Sequence, residues 1–81
     1  MKKIEVLGPG CARCKKTAEE VRRALSSVGL AEGRDFSIEK IEKPTEIAAR
    51  GVLMTPGVIV DGKIVSTGKI PTHGDIISWI E

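Results

Sequence analysis

Aromatic residues are nearly absent from this chain: Phe36 and Trp79 are the only two, and there is no tyrosine. That excludes nucleic-acid surfaces built on stacked aromatic rings. A charge excess of one sign is also missing. Thirteen basic and eleven acidic residues leave a formal charge of +2, too balanced for a protein held on nucleic acid by phosphate contacts. No apolar run approaches the ~20 residues needed to span a bilayer. The run after Lys2 and Lys3 is interrupted at Glu5 and ends at Gly8, so no secretory signal is read. The expected address is the cytoplasm, with no nucleic-acid and no membrane partner. Cysteine is scarce as well, with Cys11 and Cys14 alone. In a reducing compartment two thiols this close read as catalytic or metal-binding, not as a structural bridge.

What is present is a modest supply of core. The 81 residues make room for one domain, 1–81, and 41% of them are hydrophobic, so an ordinary apolar core is feasible despite the small size. Lys2 to Leu7 is rich in β-formers and reads as a strand. Gly8-Pro9-Gly10 is a turn. A helix is predicted from about Cys11 to Val28, with an apolar stripe at Cys14, Ala18, Val21, Leu25 and Val28. Glu19 stands four before Arg23, the favourable order for a helical ion pair, and Gly29 suits the helix end. Asp35 to Ile41 alternates as a second strand. Pro44 opens a short helix, with Glu46 in its first turn, that stops at Gly51. Val58-Ile59-Val60 and Ile64-Val65 flank Asp61-Gly62, the signature of a tight hairpin. Thr72 and Asp75 form a capping-box-like start to a last helix packed through Ile76, Ile77, Trp79 and Ile80. The order is β-α-β-α-β-β-α. A strand–helix–strand start implies a parallel pair, and the hairpin adds two antiparallel strands. The expected class is α/β, a four-stranded mixed sheet flanked by three helices.

The cysteine pair carries the chemistry. A thiol–disulfide exchanger needs one thiolate that attacks a disulfide and a second thiol that resolves the mixed disulfide. Cys11 falls at the start of the helix, where unpaired N–H groups and the helix dipole favour negative charge. Arg13 and Lys15 add positive charge. Such settings lower thiol pKa values to about 3.5–7.5. Cys14 lies on the apolar stripe and is the more buried sulfur. Cys11 is therefore the nucleophile and Cys14 the resolving thiol. A structural zinc site normally takes four protein ligands; His73 is the only other soft ligand weighed, and no second cysteine pair exists. The alternative is a carrier of Cu(I), which thiolates suit. Small copper-binding domains also place Cys-x-x-Cys after a first strand, but with a methionine two residues before it and a strand last. Here Pro9 holds that position and the chain ends in a helix containing Trp79.

With Cys11-Ala12-Arg13-Cys14 after the first strand and Met54-Thr55-Pro56-Gly57 before the hairpin, the chain resembles the thioredoxin superfamily. It is most similar to the small thioredoxin/glutaredoxin-like redox-active disulfide proteins of archaea and bacteria. The resemblance covers nearly the whole chain and implies a thioredoxin-like fold. It implies a cis Pro56 packed against the cysteine pair, and a Thr55 whose backbone groups dock an extended substrate. It further implies protein disulfide substrates, an upstream reductase and no cofactor; a monomer is the simplest state. The chain departs from thioredoxins proper at Gly10 and Ala12-Arg13, where those proteins carry Trp and Gly-Pro. The pair's potential depends on that dipeptide, and relatives span about −120 to −270 mV. Gly68-Lys69 is a poor match to the glutathione-holding residues of glutaredoxins. Glu5 stands six before Cys11, the spacing of the family's buried acid. It is read either as an exposed strand residue or as a proton acceptor for Cys14. Arg13, Lys15, Lys16 and Lys69 form either a basic rim for acidic partners or a plain solvated face. His73 is expected to be a surface residue, and Asp61 a turn residue.

Overall fold

The alternation of β-branched and polar residues around one stripe-bearing helix builds a sheet with unlike faces. The computed structural model describes residues 1–10 and 12–80. The elements are β1 (Lys2–Leu7), α1 (Ala12–Ser27), β2 (Phe36–Ile41), α2 (Pro44–Ala49), β3 (Gly57–Val60), β4 (Lys63–Thr67) and α3 (His73–Ile80). The sheet order is β2-β1-β3-β4. β1 runs parallel to β2 and antiparallel to β3, with Ile4 opposite both Ile38 and Val60. This is the α/β architecture expected, three helices on a four-stranded mixed sheet.

Successive β1 side chains point to opposite faces, so the strand divides the apolar residues into two clusters. Ile4 joins Val58 and Val60 of β3 under Val21, Ala24 and Leu25 of α1 and Ile76 of α3. Leu7 joins Ile41, Ile59 and, from α2 and the segment after it, Ile47 and Val52 on the other face. Fully burying each such aliphatic side chain is worth about 1.5–3 kcal/mol. Leu30, Ile77, Trp79 and Ile80 cover the edges of the first cluster.

Two expectations for α1 are corrected. Val28 was placed on its apolar stripe, but it is exposed. The helix ends at Ser27, and Gly29 turns the chain with φ +84°. The Leu30 N–H closes that turn on Leu25 O at 3.1 Å, so Leu30 takes the place on the core that the stripe assigned to Val28. Arg23 leans to Glu20 (3.5 Å), not to Glu19, and Lys16 also reaches Glu20 at 3.4 Å. Both are exposed or half-exposed pairs of small energetic consequence.

The two most local motifs form as their chemistry dictates. Asp61 and Gly62 take φ of 49° and 85°, the left-handed values a primed hairpin turn requires. Asp61 also ties the turn to β1: its carboxylate accepts the Lys3 N–H, and its own N–H donates to Lys3 O, each at 2.8 Å. At α3 the Thr72 N–H donates to the Asp75 carboxylate (3.1 Å) and the Asp75 N–H to the Thr72 hydroxyl (3.2 Å). These bonds satisfy donors at the helix start that would otherwise lack partners. They also hold the Asp75 carboxyl below the ordinary carboxylate range, the Thr72 backbone N–H first among the causes and Lys69 a smaller one. Among the described residues no helix is long and apolar enough to cross a membrane.

Candidate active site

The C-terminal end of β1 and the first turn of α1 meet at Gly8. Cys14 is 6% exposed, because its place on the helix turns it towards the sheet. A β-carbon built on Gly8 would collide with Cys14 Sγ and would lie 3.7 Å from Thr55 Cβ. The missing side chain at position 8 is what allows the buried sulfur and the loop before β3 to converge. The Thr55–Pro56 peptide bond is cis, and Pro56 is buried. Pro56 O accepts the Gly68 N–H at 2.9 Å. Behind Cys14, the fully buried Thr17 returns its hydroxyl to Arg13 O at 2.8 Å. The other member of the pair, Cys11, lies outside the described residues.

Two concavities flank this point. A cleft of about 120 Å³ opens beside Cys14 between Val6, Gly10, Lys15, Lys40 and Glu42. A shallower groove of about 340 Å³ runs past Pro9, Pro44, Ile47, Val52, Leu53 and Thr55. Leu53 and Met54, immediately before Thr55, are exposed. The expected basic residues separate into two kinds. Lys16 is paired with Glu20, and Lys69 with Asp75 at 3.8 Å. Arg13 instead donates to Gly68 O at 3.0 Å. No acid stands in the first turn of α1. His73 is on the surface.

Glu5 is not the exposed strand residue of the first alternative. It is 7% exposed and accepts from Arg50 Nε at 2.9 Å. The cause is the strand's alternation: Glu5 shares the face of Leu7, and the last turn of α2 brings Arg50 over it. A buried carboxylate needs such a partner. Among the described residues it is the one buried carboxylate.

Sequence reading did not single out Lys40, Glu42, Leu53 or Arg50. Lys40 was accessible to it in part, since the parallel register sets Lys40 beside Val6, on the face where Cys14 lies. Arg50 carried no signal, because its role depends on how α2 crosses the sheet.

The topology, with the first turn of α1 carrying Cys14 against the loop that precedes an antiparallel hairpin, defines a thioredoxin-like fold. The sequence profile of the thioredoxin domain family matches residues 2–81, and the chain belongs to that family. It is 40% identical over 73 residues to a thioredoxin of Methanocaldococcus jannaschii, covering 90% of this chain and 79% of that one. It is 32% identical over 76 residues to a thioredoxin of Methanothermobacter thermautotrophicus, covering 94% of each. A solved structure of a malarial protein shares the fold with a TM-score of 0.68 at 13% identity, over 99% of this chain and 93% of that one. The family is one of thiol–disulfide oxidoreductases.

Proposed function

We propose that this protein is a cytoplasmic dithiol electron carrier, a single thioredoxin-like domain over residues 1–81 that works as a monomer and reduces protein disulfides. The observation that carries this reading is the placement of Cys14: buried in the first turn of α1, against Gly8 and beside Thr55, in a chain of the thioredoxin family. The Cys11 thiolate attacks one sulfur of a partner disulfide. A mixed disulfide forms and the partner's other sulfur leaves as a thiolate. Cys14, deprotonated, then attacks Cys11 Sγ, which releases the reduced partner and leaves a Cys11–Cys14 disulfide. Two electrons have passed to the partner, and an upstream reductase restores the dithiol.

Thr55 and Pro56 are the docking residues in this reading. Thr55 is half-buried at the convergence with Cys14 and borders the apolar groove, where an extended partner chain would lie. Glu5 keeps the spacing of the proton acceptor, six before Cys11, but its carboxylate is paired with Arg50 on the Leu7 face while Cys14 lies on the Val6 face; its burial in β1 is the one support for that role, and Glu5→Gln tests it.

The test is trapping. Cys11→Ser abolishes disulfide reduction, and Cys14→Ser accumulates mixed disulfides with its partners. Full turnover by Cys14→Ser overturns the assigned roles. Titration in a redox buffer, with and without Cu(I), gives a reversible disulfide at a defined potential. Tight Cu(I) binding without a competent disulfide overturns the carrier reading in favour of metal transport. An unchanged pH profile of Cys14 reactivity in Glu5→Gln removes Glu5 from the mechanism.

A further inference from the structure

Arg13 stands between the two cysteines, yet its side chain does not simply trail into solvent. Its guanidinium Nη2 donates to Gly68 O at 3.0 Å, reaching the loop after β4. The same Gly68 donates its N–H to Pro56 O at 2.9 Å. Met54 lies over Gly68: a β-carbon there would meet Met54 Cβ and Cε at 3.3 Å each. The backbone of Arg13 is held in turn by the buried Thr17 hydroxyl on its carbonyl. Arg13, Gly68 and Met54 thus form a lip beside the Thr55–Pro56 segment.

The electrostatics of this lip are one-sided. The first turn of α1 holds no acid. Lys69 follows Gly68, and its partner Asp75 stands off at 3.8 Å. Among the described residues Arg13 has no carboxylate partner; a neutral carbonyl accepts from it. A guanidinium bonded to a neutral acceptor gains when a carboxylate replaces it, because the ion pair adds Coulombic attraction and the planar fork can hold both oxygens.

We propose that Arg13 is a specificity-determining residue that selects partner disulfides carrying a carboxylate next to the reacting half-cystine. The guanidinium moves from Gly68 O to the partner's Asp or Glu as the partner chain settles beside Thr55. Because Arg13 reaches to Gly68, whose N–H bonds Pro56 O beside Thr55, an acid near the reacting half-cystine of a chain docked there lies within its range. This inference rests on the dithiol-carrier reading.

The experiment uses three peptides, each closed by one disulfide and identical except for Glu, Gln or Lys adjacent to a half-cystine. Reduction of each by the full chain is followed as kcat/KM at low and high salt, for the wild type and Arg13→Ala. The wild type favours the Glu peptide over the Gln peptide by about 1.5- to 5-fold, the range of an exposed ion pair, and disfavours the Lys peptide. The preference shrinks at high salt. In Arg13→Ala the Glu-to-Gln ratio falls to near one. Equal rates for all three peptides in the wild type overturn the proposal while leaving the carrier reading intact. An undiminished Glu preference in Arg13→Ala overturns it too, since selection then resides elsewhere. If the wild type reduces none of the peptides, the carrier reading and this inference fall together.

Discussion

Arg50, at the end of α2, holds the carboxylate of Glu5, in the middle of β1, through an Nε–H donated at 2.9 Å. The pair joins the short helix to the central strand on the Leu7 face of the sheet. Its energetic role follows from the contrast in exposure: the Glu5 side chain is 9% exposed and that of Arg50 32%. Arg50 solvates a charge that water cannot reach.

Arg50→Ala is therefore expected to destabilise the fold by about 1–3 kcal/mol, the cost of leaving a buried acceptor unsatisfied. Glu5→Gln costs less, since an amide oxygen still accepts from Arg50 and no charge is stranded. The double variant costs less than the sum of the two, because the partners are in contact. Urea unfolding midpoints of the four proteins check all three statements. Additive losses would show that the two side chains act independently.

Gly8→Ala tests the close approach of β1 to Cys14. The added methyl collides with Cys14 Sγ, and relief requires the first turn of α1 to shift. Overpacking of this kind costs about 1–3 kcal/mol. The variant is also expected to alter the rate at which Cys14 reacts with a thiol reagent. Wild-type stability together with wild-type Cys14 reactivity would show that the turn has slack to spare.

At α3, Thr72→Ala removes the hydroxyl that accepts the Asp75 N–H and is expected to cost about 1 kcal/mol in thermal or urea unfolding. Asp75→Asn should change the pH dependence. The Asp75 carboxyl titrates below its ordinary value in the folded chain, chiefly because it accepts the Thr72 N–H. Its contribution is present above the unfolded value of about 3.8 and is lost as pH falls through the lower folded value. Asp35, held down first by Arg34 and then by the Ala31 N–H, and Glu32, held down by Arg22, act with the same sign. Comparing unfolding midpoints at pH 7 and pH 3, the wild type loses more than Asp75→Asn does. Equal losses would mean the cap contributes nothing as a charge.

Val28 and Leu25 separate pattern from burial. Leu25 is fully buried and Val28 exposed. Leu25→Ala is expected to cost about 2–5 kcal/mol, whereas Val28→Lys should stay within about 0.5 kcal/mol of wild type. Chemical denaturation of the two variants decides the matter.

Most of the element order could be read from local patterns. The β1 alternation, the Pro44 start of α2, the Asp61-Gly62 turn and the Thr72/Asp75 cap all depend on neighbours within four residues, so short-range chemistry sets them. So does the inward position of Cys14, one helical repeat before Ala18. Val28 was misplaced because a stripe continues on paper past the point where Gly29 turns the chain. Glu19 and Arg23 were paired by spacing, but Glu20 lies within reach of both Lys16 and Arg23.

By itself, then, the sequence determined the order of strands and helices, the thiol pair and the burial of Cys14. Tertiary structure alone decided which distant residues meet. Gly8 against Cys14, Arg50 over Glu5, Arg13 on Gly68, and Lys40 with Glu42 at the cleft are contacts between segments brought together only when the sheet forms. The physical reason is the range of the interactions. Propensity, capping and turn chemistry act along the chain, while burial of a charge and the reach of a guanidinium depend on where distant elements cross.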